Sequence, residues 1–372
     1  MHDNTAHASH PSAGQRPLNL LVIYDTYEYG AAITPLPTKF KQIEATHITN
    51  ALRRQGHDAK ALDMRHLALS DDGKTLSYDG KPFNISDYDG VCWRCSVRAD
   101  RSNPLTKKET QDTWEIAHWV EQHIPAYTPF DRLQEWDGKI PTKTLLDEAG
   151  VEMPRSLCLR VNDPDIDAKI QAFTHEQEGQ NFVLKKDVGH SGIVAFSSDM
   201  TGLYFTHNVK KLQQVAHRWL EGDVEDVGAG VVLQDYIKPK RTLRFDVTVG
   251  PDDHKMIFTS RRFSKKLGYY QNADVSDLDP TIKTMLDTMV HTLGPGCWGI
   301  DIIQDEHGKC YCLEANPFSA NAFMNSNPQL AETYGEAAAN NIVDTIREKQ
   351  IASPHVETRD AELHSPKHAV QI

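Results

Sequence analysis

The sequence has no long hydrophobic run. Its 372 residues are 39% hydrophobic, yet no segment approaches the roughly 18 to 20 continuous apolar residues of a membrane span. The first 16 residues are polar, contain three histidines and lack the apolar stretch of a secretory signal. We therefore expect a soluble, cytoplasmic protein that does not associate with a membrane.

Positive charge is also in the minority. Lys and Arg number 40 against 52 Asp and Glu, which gives a formal net charge of −12. A nucleic acid or an anionic membrane surface would meet an unfavourable average field, so neither is expected as a partner. A local basic pocket for a small anion stays compatible with this composition. The length suits two or three domains with ordinary cores, and a globular enzyme is the default class.

Cysteines are few and dispersed. The six of them form no short framework, which indicates a reducing compartment. Cys92 and Cys95 form a CWRC pair that would suit a redox or metal half-site, but no second pair with finger-like spacing follows. Cys310 and Cys312 would share one face of a strand, where ordinary packing is the favoured interpretation.

Apolar runs alternate with helical periodicity in the first third of the chain. This alternation predicts an open parallel sheet, with ligands expected at the carboxyl ends of its strands. The candidate strands are 18–24, 59–62, 88–93 and 126–130, and the candidate helices are 39–56 and 110–124. Near Asp137 the pattern changes. Asp137 is predicted to cap a helix that ends at Gly150, and from 182 to 263 β-like runs and turns indicate an α+β unit.

The segment 299–318 is the most informative, with the sequence GIDIIQDEHGKCYCLEANPF. A two-residue hairpin turn at His307–Gly308 would set Asp301 directly opposite Glu314. Facing carboxylates repel, and a divalent cation between them would relieve the repulsion. Asn316 would add a neutral oxygen on the same face, and such hard donors suit magnesium better than zinc. The alternative is an exposed hairpin with scattered acids.

A second segment, 182–196, reads FVLKKDVGHSGIVAF. A strand delivers Lys185 and Lys186 to a loop that contains Gly189 and Gly192. Glycines let backbone amides approach a phosphate, and a lysine supplies a point charge. The loop lies between strands, so it is neither a Walker loop nor a Rossmann turn. Strand alternation lets only one lysine point inward, and we choose Lys185. An ordinary glycine-containing hairpin is the alternative.

A third segment, 231–249, reads VVLQDYIKPKRTLRFDVTV. An apolar strand ends in residues 234–237, a polar turn follows, and the next strand presents Arg244 and Asp246 on one face. The free backbone N–H and C=O groups of such a strand edge can form hydrogen bonds with adenine, although a plain hairpin would give the same pattern.

Arginines elsewhere are candidates for anion contacts. The basic run with Arg261 and Arg262 ends near Asn272, and it is either a solvated surface or a stabiliser of anionic oxygens. The set Arg94, Arg98, Arg101, Tyr27 and Tyr29 is either an acid-binding pocket or a group of exposed loop residues.

Taken in order, these segments resemble the ATP-grasp superfamily, especially the branch of glutathione synthetase, D-alanine:D-alanine ligase and the glutamate-adding ligases. The similarity covers about residues 136–346. It implies an α/β N-terminal domain followed by an α+β ATP-grasp fold, in which two α+β subdomains clasp ATP. The expected divisions are a disordered tail 1–17, the N-terminal domain 18–130, a central subdomain 131–205, a C-terminal subdomain 206–350 and a flexible tail 351–372.

The resemblance also implies ATP and magnesium, or manganese in its place, as cofactors, and it assigns three sets of residues. The nucleotide set is Lys139, Lys185, Gly189, His190, Ser191, Gly192, Gln234, Asp235, Tyr236 and Ile237, with Asp235 in place of the usual glutamate. The metal ligands would be Asp301, Glu314 and Asn316. The catalytic set is Arg262 as the leading oxyanion residue, Arg244 in support, and Asn272.

In such enzymes a carboxylate attacks the γ-phosphate to give an acylphosphate, and an amine then displaces phosphate to form an amide. The resemblance therefore implies an ADP-forming carboxylate-amine ligase that acts on amino acids or small peptides. The alternatives are an ATP-grasp kinase that phosphorylates a small-molecule hydroxyl and a non-catalytic nucleotide-binding protein. Both a monomer and a homo-oligomer stay compatible with the sequence.

Overall fold

The computed structural model describes residues 15–25, 40–95, 107–177, 179–187, 203–222, 230–253, 255–262, 278–317 and 328–352. Within these ranges the chain forms eight α-helices and fourteen strands, which are arranged in four sheets. Among the helices of these ranges, none is both long enough and apolar enough to cross a membrane.

The amino-terminal part contains a parallel sheet and a small antiparallel sheet. Its strands are β1 (Asn19–Tyr24), β2 (Asp58–Asp63), β3 (Leu67–Leu69), β4 (Leu76–Tyr78), β5 (Lys81–Phe83) and β6 (Gly90–Arg94), and its helices are α1 (Phe40–Arg54) and α2 (Lys107–His123). The parallel sheet has the order β2-β1-β6, and β3-β4-β5 form the small sheet.

Strand β1 is buried on both faces. Leu21 and Ile23 belong to one hydrophobic core, whereas Leu20 and Val22 belong to a second core that α1 also contributes to. A strand covered on both sides needs apolar residues at every position, and this explains the uninterrupted run that marked it in the sequence.

The predicted strand at 126–130 is wrong. Ala126 makes a single parallel bridge to Val91, and helix α3 (Phe130–Trp136) already begins at Phe130. Pro129 occupies the position before that helix. Proline cannot donate to a strand ladder, and its fixed backbone angle is compatible with the start of a helix.

Helix α4 (Lys139–Glu148) begins without the predicted cap. Asp137 ends α3 as its C-cap, and Gly138 is the N-cap of α4 without a side-chain bond. Instead, Oδ1 of Asp187 accepts a hydrogen bond of 2.8 Å from the backbone N–H of Ile140. This contact spans 47 residues, so no local pattern could have indicated it.

The central sheet is antiparallel, with the order β7-β10-β8-β9. Its elements are β7 (Ser156–Arg160), α5 (Ile166–His175), β8 (Phe182–Lys186), β9 (Leu203–Thr206), α6 (Val209–Gly222) and β10 (Gly230–Asp235). Both helices pack against it around one core. The expected division at residue 205 would cut this sheet, because β10 returns after α6 and inserts between β7 and β8.

The third sheet has the order β12-β11-β13-β14, and all its pairings are antiparallel. Its elements are β11 (Arg241–Val249), β12 (Lys255–Arg262), α7 (Pro280–Leu293), β13 (Gly296–Gln304) and β14 (Cys310–Asn316). Phe245, Val247 and Ile300 pack in a core shared with α7. Because neighbours along a strand alternate between its faces, Arg244, Asp246 and Asp301 lie on the opposite face.

The last helix, α8 (Pro328–Ala352), packs against α1 and the parallel sheet around one core. A Cβ atom on Gly335 would lie 2.9 Å from the carbonyl oxygen of His47, and one on Gly90 would lie 2.6 Å from Ile346 Cδ1. Two glycines thus permit the close approach. Strands β11 to β14 of the expected C-terminal subdomain form the third sheet, but α8 packs with α1 and the parallel sheet, and these three together form the amino-terminal layer.

Candidate functional site

Asp301 and Glu314 face each other across β13 and β14, as the sequence predicted. The turn between these strands is not the predicted two-residue hairpin. Gln304 pairs with Cys310, which leaves the five residues Asp305–Lys309 as the connection. Within it, the carboxylate of Asp305 accepts hydrogen bonds from two backbone N–H groups, at 2.8 and 2.9 Å, and this fixes the longer turn.

A β-bulge restores the pairing of the two carboxylates. Ile302 pairs with Cys312, whereas Asp301, the residue before Ile302, pairs with Glu314. Leu313 is therefore the extra residue in β14. Without the bulge Asp301 would face Leu313. The bulge therefore places Glu314 opposite Asp301.

Arg244 lies on the other side of Asp301. The two residues are paired across β11 and β13, and Nη1 of Arg244 donates to Asp301 Oδ2 at 2.7 Å. Its Nε donates to Asp246 Oδ1 at 3.3 Å. Burial by itself would lower the pKa of Arg244, but the carboxylates of Asp301, Asp246 and Glu314 raise this pKa above its ordinary value. The guanidinium is therefore a permanent cation within an acidic group.

Lys139 and Lys185 bring positive charge to Glu314. Burial would raise the pKa of Glu314, but Lys139, Lys185 and Arg244 together lower it below its ordinary value. Burial lowers the pKa of Lys185, and the carboxylates of Glu314 and Asp301 oppose that effect. These cations thus favour the ionised form of Glu314.

Lys139, Lys185 and Glu314 line a cleft between the central sheet and β14. The cleft is open to solvent, and α4, β8, β10 and β14 contribute most of its wall. Its lining residues are Asp137, Gly138, Lys139, Thr142, Lys143, Met153, Lys185, Val232, Gln234, Leu313, Glu314, Ala315 and Asn316. Five of the expected nucleotide and metal residues therefore meet in one space: Lys139, Lys185, Gln234, Glu314 and Asn316.

Asp187 was not recognised from the sequence as a site residue. Besides capping α4 at Ile140, its backbone carbonyl accepts from the backbone N–H of Lys139 at 3.1 Å and from Lys139 Nζ at 3.3 Å. It directly follows Lys185 and Lys186 in the sequence, but no local pattern marks it as a capping residue. Through these contacts the end of β8 fixes the lysine that begins α4.

Lys185 and Lys186 lie on opposite faces of β8. Lys185 lines the cleft. The Nζ atom of Lys186 lies 5.9 Å from the centre of the Trp219 ring, on the face covered by α6.

Gln234 and Asp235, at the end of β10, also point to opposite sides. Gln234 lines the cleft, and its Nε2 donates to Ser156 Oγ at 3.0 Å. The carboxylate of Asp235, expected to read adenine, instead accepts two hydrogen bonds from Arg155, at 2.9 and 3.0 Å. Arg155 thus ties the end of β10 to the start of β7.

Two more residues of the expected nucleotide set, Tyr236 and Ile237, directly follow β10. The backbone N–H of Tyr236 donates to the carbonyl of Asn181 at 3.0 Å, and the Tyr236 ring lies edge-on to Phe205 at 5.9 Å. Ile237 follows and is half-buried.

The structure does not describe every predicted residue. Arg262 is the last residue of β12, where it pairs with Thr242 through the backbone. The residues Gly189, His190, Ser191, Gly192, Asn272, Tyr27, Tyr29, Arg98 and Arg101 lie outside the described ranges.

Arg94 is not an exposed loop residue. Its side chain is 2% exposed, and Nη2 forms an ion pair with Glu44 at 2.7 Å. Nearby, Cys92 and Cys95 are buried and are not joined in a disulfide. Burial raises the pKa of Cys92 well above its ordinary value, so it is held as a thiol. Across the described ranges, there is no group of three or more His, Cys, Asp or Glu placed to hold a metal.

Comparisons with known proteins identify the fold. No protein-family model matches the chain, and no curated protein matches it. Solved structures do match. D-alanyl-alanine synthetase A from Vibrio cholerae O1 biovar eltor str. N16961 aligns with a TM-score of 0.62 and 16% identity, over 91% of this chain and 100% of that one.

Two further matches are enzymes that were solved with peptides. A RiPP-associated ATP-grasp ligase from Chryseobacterium gregarium, in complex with ADP and a leader and core peptide, aligns with a TM-score of 0.59 and 16% identity, over 88% of this chain and 97% of that one. The macrocyclase MdnC from Microcystis aeruginosa MRC, bound with precursor peptide MdnA, gives 0.58 and 15%, over 87% and 100%. The chain therefore has the fold of the ATP-grasp ligases.

Proposed function

We propose that this chain is an ATP-dependent, ADP-forming ligase that joins a carboxylate to an amine. The observation that carries the proposal is the meeting of Lys139, Lys185, Glu314 and Asn316 in one cleft of an ATP-grasp fold. Cations that can hold phosphate oxygens lie there beside carboxylate and amide oxygens that can hold a metal.

The donor set fits a hard divalent cation. Asp301 and Glu314 are paired carboxylates, Asn316 follows at the end of β14, and three cationic side chains hold Glu314 in its charged form. Magnesium prefers oxygen ligands of this kind and keeps part of its shell for water and phosphate. When bound, it would neutralise charge that moves between the β- and γ-phosphate oxygens of ATP.

The remaining nucleotide contacts follow the walls of the cleft. Lys139 and Lys185 would hold phosphate oxygens, and the backbone amides of residues 189–192, which the sequence predicts to contact phosphate, would add further donors. Gln234 and the backbone of residues 235–237 would contact the adenine base. The two hydrogen bonds from Arg155 to Asp235 would keep this segment in place.

The reaction would proceed in two transfers. An oxygen of the acid attacks the γ-phosphorus, the bond to the bridging oxygen breaks, and ADP leaves. The amine then attacks the acyl carbon, phosphate leaves with the oxygen that came from the acid, and the amine loses a proton to water. Arg262 and Arg244 would stabilise the anionic oxygens, with Asn272 as a third donor.

Amino acids or peptides are the proposed acid substrates. The three matching proteins are named as a D-alanyl-alanine synthetase and as ligases bound with precursor, leader or core peptides. All three names refer to amino-acid or peptide chemistry, and the proposal takes the same class for this chain.

A trapping assay tests this proposal without a known amine. Hydroxylamine intercepts an acylphosphate and converts it to a hydroxamate, so a panel of amino acids and peptides is incubated with ATP, Mg²⁺ and hydroxylamine. We expect ADP and hydroxamate in equal amounts with at least one acid, and neither product with Glu314→Gln. Release of AMP and pyrophosphate would contradict the proposal, and ADP with a stable phosphorylated product that resists hydroxylamine would indicate a kinase.

A further inference from the structure

A buried ion pair links the amino-terminal layer to the end of β14. Arg94, the last residue of β6, and Glu44 of α1 are both 2% exposed, and their side chains lie 2.7 Å apart. The other oxygen of Glu44 accepts a hydrogen bond of 2.8 Å from the hydroxyl of Tyr334 in α8. Nη1 of Arg94 donates to the backbone carbonyl of Pro317 at 2.8 Å.

Pro317 directly follows the proposed metal ligands. The last pair in the β13–β14 ladder is Gly299 with Asn316, so the carbonyl of Pro317 is the first one beyond the ladder. Proline has no N–H to donate, and this carbonyl is its one backbone hydrogen-bonding group. The bond from Arg94 therefore fixes the peptide immediately after Asn316.

Stability alone is a poor explanation for this arrangement. Removing a guanidinium and a carboxylate from water is costly, and well-packed apolar residues often stabilise a core as well or better. Among the described residues, moreover, Nε of Arg94 has no acceptor, which adds an uncompensated cost. A specific geometric role explains why an arginine lies here.

An arginine suits that role because its planar fork bonds two partners at once. One guanidinium nitrogen holds Glu44 and another holds the carbonyl of Pro317. Burial would lower the pKa of Arg94, but Glu44 keeps it well above its ordinary value. The guanidinium therefore stays charged and keeps its hydrogen bonds to Glu44 and to the carbonyl of Pro317.

We propose that Arg94 is a positioning residue for the metal site, which orients Asn316 and Glu314 by holding the carbonyl of Pro317. This inference rests on the proposed function, since it assumes that these two side chains bind a metal with the nucleotide. The parallel amino-terminal sheet would then support the ATP site although none of its described residues lines the cleft.

The test measures metal and nucleotide binding separately on the full chain. Mn²⁺ binding in the presence of ADP is followed by the loss of the free-ion paramagnetic resonance signal, and ADP binding without metal is followed by calorimetry in EDTA. In the double variant Arg94→Met/Glu44→Gln no charge is left unpaired in the core. We expect Mn²⁺ to bind about tenfold more weakly, as is typical when a residue that orients metal ligands is lost, and metal-free ADP binding to be unchanged.

Tyr334→Phe is the matched control. It removes a hydrogen bond to Glu44 from the same network but leaves the bond between Arg94 and Pro317. Both binding constants should equal those of the wild type. A loss of Mn²⁺ affinity in this variant as large as in the double variant would overturn the inference, because it would show a general structural effect.

The outcomes separate this inference from the function on which it rests. If the wild type binds neither Mn²⁺ nor ADP, the proposed function fails. If the wild type binds both and the double variant binds Mn²⁺ as tightly, or loses both affinities equally, the positioning role is wrong. Should circular dichroism show that the double variant does not fold, Arg94→Lys decides. It keeps the charge but has a single nitrogen for two partners, so weaker Mn²⁺ binding supports the role and wild-type binding overturns it.

Discussion

At the scale of single residues, the charges of the cleft are set by their neighbours. Burial would favour the protonated form of Glu314, yet Lys139, Lys185 and Arg244 lower its pKa. Removing one cation should therefore disturb the carboxylates as well as any bound phosphate. The cluster acts as a unit, and single substitutions within it will not be additive.

Arg155 gives a prediction outside that cluster. Its guanidinium holds Asp235 with two hydrogen bonds and also bonds the carbonyl of Phe173 at 3.0 Å. Arg155→Lys keeps the charge but loses the paired geometry. We expect ADP to bind up to about tenfold more weakly, which corresponds to about 1.4 kcal/mol, with the unfolding midpoint little changed. Calorimetry checks this, and Glu176→Gln, which affects only the exposed partner of Arg155, is the control.

Asp89 gives a prediction about pH. Burial would raise the pKa of Asp89, but hydrogen bonds from Arg16 and from the backbone N–H of Asn19 lower it. A carboxyl whose pKa is lower in the folded state stabilises the fold above its unfolded pKa, near 4, and loses this contribution as the pH falls through the folded value.

Asp89→Asn should therefore reduce the free energy of unfolding at neutral pH. Because Arg16 is largely exposed, the expected loss is only about 1 kcal/mol. The difference between variant and wild type should shrink as the pH falls below about 4. Urea unfolding at several pH values measures it, and a difference that stayed constant with pH would refute the ionic origin of the effect.

At the scale of elements, the contact between α1 and α8 depends on a glycine, Gly335, which has no side chain. A Cβ atom on Gly335 would lie 2.9 Å from the carbonyl oxygen of His47, which is backbone and cannot rotate away. Gly335→Ala gains up to about 1 kcal/mol of helix propensity, but overpacking costs about 1 to 3 kcal/mol. We expect net destabilisation in chemical unfolding.

Glu336→Ala is the matched control for that helix. Glu336 is the next residue, its side chain is exposed, and its ion pair with Arg54 is long at 3.4 Å. Such surface pairs contribute little, so stability should be unchanged or slightly higher. If Gly335→Ala proved as stable as this control, the close approach of the helices would not constrain position 335.

The elements also show where sequence reasoning succeeds. Local patterns predicted the opposition of Asp301 and Glu314, although the turn is longer and the bulge at Leu313 restores the register. Two errors came from long-range contacts. Asp187 caps α4 from across the chain, and β10 joins the central sheet by inserting between strands that precede it. Neither contact leaves a local pattern.

At the scale of the whole molecule, the cleft combines elements that are far apart in sequence. The helix that begins at Lys139, the strand that carries Lys185 and the hairpin of Glu314 meet there, and Arg94 connects the amino-terminal layer to the end of that hairpin. The overall fold matches ligases over most of the chain. The residue pattern indicates a nucleotide and metal site, which stays a prediction, whereas the choice of acid and amine has no local signature.

The proposed function depends on activation of the acid by phosphoryl transfer. It is tested most directly with a substrate acid found in the hydroxamate assay and labelled with ¹⁸O in its carboxylate. Phosphate released during amide formation is then analysed by mass spectrometry. We expect one ¹⁸O atom in each phosphate, because the attacking carboxylate oxygen leaves with phosphorus. Unlabelled phosphate, or label found in AMP, would contradict it.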